Sequence, residues 1–259
     1  MRLLKENYEG LPEVDNLSED LKTFLSKPEV QEALQKADFS TLYKKFPPDF
    51  VSDFTRLLIS LNIDPLNYLD HIPDRFLAST SVKHIDIPSN ITSIGNRAFY
   101  NCDSLTSATI SNGVMSIGNR AFKNCIRLTD ITIPDSVTSI GSSAFYGCLD
   151  LSNVTIGNSV TSIGSDAFSG CGSLTNIIIP NSVMGIGRYA FYRCSGLTDI
   201  TIPSSTMIIG DWALYFCTSL NYITYGGTKD QWGKIKLGSG WNRKSPIKAI
   251  QCIDGDIEL

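Results

Sequence analysis

Only two histidines, His71 and His84, occur in the 259 residues, and no two cysteines stand in a C-x-x-C spacing. That scarcity removes the common zinc-ligand sets, whose cysteines and histidines come in close pairs, so no metal site is expected. Charge of one sign is also missing: 22 Lys and Arg face 26 Asp and Glu, a net −4, with a pI near 5.2. Such a balance offers no general attraction to nucleic acid or to an anionic membrane. No apolar run is long enough to cross a bilayer, and the opening stretch "MRLLKENYEGLPEVDN" has no signal-peptide core. A cytoplasmic protein with no membrane insertion is the simplest expectation. An exported or cell-surface protein is the alternative if a leader has been removed. Catalytic groupings are absent as well. Ser and Thr recur at regular spacing, and Gly238 to Gly240 lack the strand, helix and lysine of a phosphate loop. His84 and Asp86 alternate on one strand face, within reach of each other, but a surface imidazole and carboxylate are more often solvated than catalytic. No enzymatic activity and no cofactor are expected.

What the chain does have is a period. Phe99, Phe122, Phe145, Phe168, Phe191 and Leu214 follow one another at intervals of 23 residues, with Cys three positions after each and Leu three after that. An Ile-Gly pair, such as Ile140-Gly141, precedes every one. Phe76, Val82, Ile85 and Ile87 sit one period before Phe99, Leu105, Ala108 and Ile110, so a further coil is hidden upstream and seven are expected. A fixed period in this range means a solenoid, in which no coil buries its apolar face alone and stacking completes the core. "LTDITIP" (Leu128 to Pro134) alternates as a strand does, with Ile131 and Ile133 inward and Thr132 outward, and the proline ends it. "VTSIG" reads as a second extended piece and "SSAFYGC" as a short helical turn.

These columns, C-x-x-L-x-x-I-x-I-P followed by V-x-x-I-G-x-x-A-F-x-x-C, resemble the BspA-like (Treponema pallidum-type) leucine-rich repeat family over about residues 72 to 225. The tail "YGGTKDQWGKIKLGSGWN" resembles the closing segment of such arrays, with Trp232 and Trp241 as plugs over the last coil. The resemblance implies an α/β repeat solenoid that binds proteins or host surfaces without catalysis, from a bacterial or bacteriophage source. Many family members are secreted or surface-attached, which is the ground for the adhesin alternative. The fold expected is therefore a solenoid of 23-residue BspA-like leucine-rich repeats with an N-terminal all-α helical domain and a C-terminal cap. Its boundaries are 1–71 for the helical domain, a cap and docking element; 72–225 for the seven coils; and 226–259 for the cap.

Six of the seven cysteines form one column beside Phe and Leu. Stacked coils bring such residues close enough for disulfides by backbone distance, but side chains in a column point the same way, and Cys there behaves as a small buried hydrophobe. An unbridged column also suits a reducing compartment. Residues 1 to 70 carry no echo of the repeat and read as helical. Ser18 caps "SEDLKTFL", Pro28 opens "PEVQEALQKA", and Pro48 opens "PDFVSDFTRLLISL" with an apolar face of Phe50, Phe54, Leu57, Leu58 and Leu61. Residues 1 to 75 hold 9 Lys and Arg against 14 Asp and Glu, an acidic bias consistent with docking to a basic partner.

The repeat supplies its own control for the surface. At the two positions after Ile-Gly and the two between Phe and Cys, the middle coils carry Ser142, Ser143, Tyr146, Gly147, Ser165, Asp166, Ser169 and Gly170, small apart from Tyr146. The last two carry Arg188, Tyr189, Tyr192, Arg193, Trp212, Tyr215 and Phe216, residue types that dominate binding hot spots. This last-coil patch is the first candidate site, with packing under the C-terminal tail as the competing explanation for Trp212 and Phe216. The strand face, with His84, Asp86, Asp130, Asn153, Asn176, Asp199 and Tyr222, is the second. The expected function is recognition of a partner protein, to inhibit or recruit it inside the cell.

Overall fold

The computed structural model describes residues 19–36, 38–47, 50–60 and 64–259. The repeat forms a β-solenoid in which each coil contributes one longer and one shorter strand. The longer ones are β1 (His84–Ile87), β3 (Ser107–Ile110), β5 (Asp130–Ile133), β7 (Asn153–Ile156), β9 (Asn176–Ile178), β11 (Asp199–Ile202) and β13 (Tyr222–Tyr225). Between them lie the two-residue strands β2 (Ser93–Ile94), β4 (Ser116–Ile117), β6 (Ser139–Ile140), β8 (Ser162–Ile163), β10 (Gly185–Ile186) and β12 (Ile208–Ile209). Neighbours in each row pair in parallel, one period apart, as in His84 with Ser107 and Ile140 with Ile163. The short strands run as one ladder, whereas among the described residues the long row is hydrogen-bonded as two sheets, with β7 ending one and β9 the other.

The core follows the columns. Phe99, Phe122, Phe145, Phe168 and Phe191 are fully buried, and successive rings from Phe122 onward stack nearly parallel at 5.3–5.6 Å. Burying one such ring stabilises the fold by about 1.5–3 kcal/mol, so the column is a large share of the driving force. The glycine after each Ile is required by the approach of backbones: a Cβ on Gly141 would lie 2.6 Å from the carbonyl carbon of Gly118. Each core cysteine is a free thiol whose Sγ donates to a carbonyl of the preceding coil, a phenylalanine's for five of them, as Cys148 to Phe122 at 3.2 Å and Cys194 to Phe168 at 3.1 Å, and that of Leu77 for Cys102.

One local expectation is corrected. "SSAFYGC" is a run of tight turns, not a helical turn. Its N–H groups alternate: Ala144 donates back to Gly141 O at 3.2 Å, while Ser143 and Phe145 donate forward to Ser165 O and Ala167 O of the next coil at 2.7 and 2.8 Å. The alternation is set by left-handed residues, φ 56° at Ser143 and 71° at Gly147, which a helix does not tolerate. This turn row is hydrogen-bonded from coil to coil like a third sheet.

Among the described residues four helices precede the first coil: α1 (Glu19–Leu25), α2 (Pro28–Gln35), α3 (Phe39–Lys45) and α4 (Val51–Ser60), then a 3-10 turn at Pro65–Tyr68. Pro28 stands in the first turn of α2 as read from the sequence, while α3, opened by the Asp38 side chain accepting from the Thr41 N–H, is an addition. Ser18, Pro48 and Leu61 lie outside the described residues. Phe54, Leu57 and Leu58 are buried, and Tyr43 bridges to the solenoid, its ring 5.9 Å from that of Phe76. The Tyr43 and Thr55 hydroxyls, both buried, satisfy each other at 2.7 Å.

Beyond β13 the chain turns through α5 (Lys229–Trp232), held by a capping box of Thr228 and Gln231, and then lays β14 (Lys236–Leu237) on β12. Strand β15 (Ala249–Cys252) pairs with β13, and β16 (Gly255–Glu258) folds back antiparallel on β15. Trp232 and Trp241 are buried against Tyr225 and each other, with rings 5.1 and 5.9 Å apart. Cys252 lies in β15 itself and is only half-buried.

Candidate functional site

The seven residues of the last-coil patch lie on the turn row and touch one another. Tyr192 stacks on Tyr215 at 5.6 Å, Tyr189 on Trp212 at 6.4 Å, and Trp212 meets Tyr215 edge-on at 5.0 Å. Arg188 sits over the Tyr189 ring at 4.7 Å, and Arg193 over Tyr192 at 5.2 Å and Phe216 at 5.8 Å. The two arginines are exposed and the five rings half-buried. The tail covers part of two rings: Gly240 lies against Trp212, and Lys244 Nζ stands 4.8 Å from the Phe216 ring. Both competing readings therefore describe part of the patch, with Tyr189, Tyr192 and Tyr215 forming its open centre.

The backbone conformation at these positions recurs in every coil, and it is the side chain that changes. Tyr189, Arg193, Trp212 and Phe216 all have left-handed φ, between 56° and 62°. For a side chain with a Cβ that conformation costs roughly 1–2 kcal/mol, and glycine or asparagine is the low-cost occupant. At the column of Arg193 and Phe216 the earlier coils use Asn101, Asn124, Gly147 and Gly170. At the column of Tyr189 and Trp212 the first coils also carry large residues, Arg97 and Arg120, and the middle ones Ser143 and Asp166.

Two cavities flank the patch. One of about 390 Å³ is lined by Tyr146, Asp166, Ser169, Tyr189, Tyr192, Trp212 and Tyr215. The other, about 680 Å³, shares Tyr146, Ser169 and Tyr192 with the first and is also lined by Ile126, Leu149, Arg193 and Phe216. Tyr146, Asp166 and Ser169 thus extend the site into the middle coils, which the residue-by-residue contrast passed over because Ser and Asp resemble background there. Burial pushes the Asp166 carboxyl upward, while Arg188 and Lys123 pull it down. Farther toward the first coil, Arg75, Arg97, Tyr100, Arg120 and Lys123 line a third, basic cavity of about 390 Å³.

The strand face is flatter. His84, Asp130 and Asn153 lie in one row of the first long sheet, and Asn176, Asp199 and Tyr222 in the matching row of the second, all exposed. Asp86 falls in the adjacent outward row, beside Thr109. The Asn153 amide donates to Asp130 at 2.5 Å, which holds that carboxyl below its ordinary value with help from Thr129. His84 turns to Ser107 Oγ at 2.8 Å and Thr106 Oγ1 at 3.3 Å, and not to Asp86. Neither carboxylates nor imidazole converge there on a reacting centre. Among the described residues no cluster of three His, Cys, Asp or Glu is arranged to hold a metal, and no helix is long and apolar enough to cross a membrane.

Comparison with known proteins agrees with this architecture. A family model described as a BspA type leucine-rich repeat region matches six copies, over residues 70–183 and 115–235. A leucine-rich cell surface protein of Faecalibacterium prausnitzii is similar in structure, with 32% identity and a TM-score of 0.52 over 66% of this chain and 55% of that one. The T. pallidum leucine-rich repeat protein shares 28% identity with a TM-score of 0.60, over 69% of this chain and 83% of its own. A leucine-rich repeat protein of Eubacterium ventriosum matches at 25% identity and a TM-score of 0.57, over 70% of this chain and 49% of that one. The chain thus spans about half the length of the F. prausnitzii and E. ventriosum proteins. No curated protein matches it.

Proposed function

Because the chain belongs to the BspA-type leucine-rich repeat family, we propose that it is a non-enzymatic scaffold that binds a partner protein through the turn row of its last coils. The observation that carries this reading is the set of large side chains at left-handed positions, Tyr189, Arg193, Trp212 and Phe216, where the middle coils place Ser143, Asp166, Gly147 and Gly170. Aromatic rings and guanidinium groups bury much area per side chain and keep a polar handle, which suits them to the centre of an interface. In this reading residues 1–71 shield the open edge of the first coil and also dock, and residues 226–259 close the far end by extending both strand rows. The strand face is the second choice, suited to a wetter interface.

A reducing interior fits the column of free core thiols, and an intracellular inhibitor or recruiter is the preferred role. An exported adhesin is the second reading, favoured by the similarity to a cell surface protein of F. prausnitzii. The test is affinity capture from source-cell lysate with the intact chain and with a Tyr189→Ala, Tyr192→Ala, Trp212→Ala variant shown to be folded. One protein retained by the intact chain and lost by the variant is the expected result. Equal capture by both would overturn the assignment to the turn row and transfer it to the N-terminal helices or the strand face.

A further inference from the structure

The basic cavity of the first coils is built by register. Arg97 donates its backbone N–H to Asn119 O and Arg120 its own to Ser142 O, both at 2.9 Å, so the two stand at one position of neighbouring coils, with φ 56° and 58°. Three residues further along each turn come Tyr100 and Lys123. Neighbouring rungs of a parallel ladder lie about 4.8 Å apart, which sets Arg97 and Tyr100 against Arg120 and Lys123 in a two-by-two arrangement. Arg75 forms a further wall of the same space, about 390 Å³ in volume. No residue that lines it is buried, and Ser79 and Arg120 are exposed, so the cavity opens to solvent. Like charges set in register repel one another. Among the described residues the side chains of Arg97, Arg120 and Lys123 have no hydrogen bond and no ion pair, and no carboxylate lines the cavity. Asp74 is held by the Asn96 backbone and side-chain N–H groups at 2.6 and 3.2 Å, and Asp166, within electrostatic reach of Lys123, lines the neighbouring cavity instead. The arginines of the last coils differ: Arg188 and Arg193 lie on aromatic rings, whereas Arg97 and Arg120 meet none. Lys123 rests over the Tyr146 ring at 4.2 Å, a contact that leaves N–H donors for a second partner.

We infer that this cavity binds a phosphate monoester dianion. A carboxylate brings one negative charge and two oxygens to a site that offers two guanidinium forks and an ammonium. A phosphate monoester brings a charge of about −1.5 to −2 at pH 7 and three strong acceptor oxygens, enough to meet Arg97, Arg120 and Lys123 together. The Tyr100 hydroxyl stands beside them as a further donor. The space exceeds a lone phosphoryl group, so the group enters on a larger body, either a phosphorylated side chain or a small organic phosphate. With a net charge of −4 on the whole chain, the cluster is a local feature and not part of a general polyanion-binding surface. The site belongs to the first coils and does not rest on the reading given to the last-coil patch.

The experiment titrates the full chain calorimetrically with a short neutral peptide carrying one phosphoserine, with the same peptide carrying Ser or Glu in its place, and with glycerol phosphate. Arg97→Asn and Arg120→Asn each remove a cation and put at φ 56° and 58° a residue that tolerates the left-handed region, so neither should unfold at a lower temperature than the parent chain. Arg127→Asn, in the same coil as Arg120 but outside the cavity, removes the same charge as a control. Saturable binding of a phosphate ligand is expected, weakened about ten- to hundredfold by either cavity variant for the loss of hydrogen bonds between charged groups. The Glu peptide should bind at least about tenfold more weakly than the phosphopeptide, the Ser peptide not at all, and phosphate binding should weaken below about pH 6 as the dianion takes up a proton. Tighter binding of the phosphopeptide makes a side chain the carrier and tighter binding of glycerol phosphate a small molecule; either order supports the site. No saturable binding of either phosphate, equal binding of the Glu peptide, an affinity unchanged between about pH 7 and pH 5, or an equal loss in Arg127→Asn would each overturn the inference.

Discussion

The coils of Phe145 and Phe168 and those of Phe191 and Leu214 have one interior and two exteriors. Inside, the same columns of Ala, Cys and Leu are buried in both pairs, and the Cys148 and Cys217 thiols make the same bond to a carbonyl of the preceding coil. Outside, at backbone positions with nearly identical left-handed φ, the middle pair carries Ser143, Asp166, Gly147 and Gly170 and the last pair Tyr189, Trp212, Arg193 and Phe216. Since the shared core already accounts for the fold, the difference is not needed to build a coil. It falls where the last pair meets the tail at Trp212 and Phe216 and, in the proposed reading, the partner at Tyr189, Tyr192 and Arg193.

If the interior is common, insults to it should not distinguish the two pairs. The largest effect is expected from alkali. Burial pushes Cys148 and Cys217 up to about 12 and raises Cys125, Cys171 and Cys194 as well. A thiol whose folded pKa lies above its unfolded value contributes stability that is intact below about pH 9 and drains as pH rises toward the folded value, at about 1.4 kcal/mol per unit for each group. Circular dichroism during an alkaline titration should show one cooperative loss of structure beginning above pH 9. Two separated transitions would split the interior into independent parts. Next in size, Phe145→Ala and Phe191→Ala should each cost about 3–5 kcal/mol and by similar amounts, read from urea denaturation. A large inequality would show that the last pair leans on the tail more than on its own core.

The interior was the part legible in the sequence, because an apolar column repeating every 23 residues has one physical explanation, and the in-register pairing of His84 with Ser107 bears it out even for the degenerate first coil. The turn row was misread as helical because the first left-handed residue of each coil is Arg97, Arg120, Ser143, Asp166, Tyr189 or Trp212 and never glycine, and only Gly147 and Gly170 announce the second. The seven-residue patch could be picked out by contrast with neighbouring coils. Its extension could not: Ser169 looks like background until the structure shows a buried hydroxyl between two tyrosines. The contribution of Lys244 depends on a tail that returns to the turn row, which no local pattern announces.

The smallest effect is the most discriminating, and it exchanges the two exteriors. Arg193→Asn puts at φ 58° the residue that Asn101 and Asn124 supply in earlier coils, and Gly170→Arg puts a large side chain at φ 76° in a middle one. The first should raise stability by about 0.5–1 kcal/mol and the second lower it by about 1 kcal/mol, because asparagine enters the left-handed region at lower cost than arginine, and glycine at lower cost still. Binding should move the opposite way for Arg193→Asn: the partner captured by the intact chain is held more weakly, since a cation stacked on Tyr192 and Phe216 has gone. A variant that is more stable and binds worse is the signature of a side chain retained for contact. Should Arg193→Asn instead lose stability and keep its partner, the arginine is packing for Phe216, and the contrast between middle and last coils reduces to the last pair meeting its own tail.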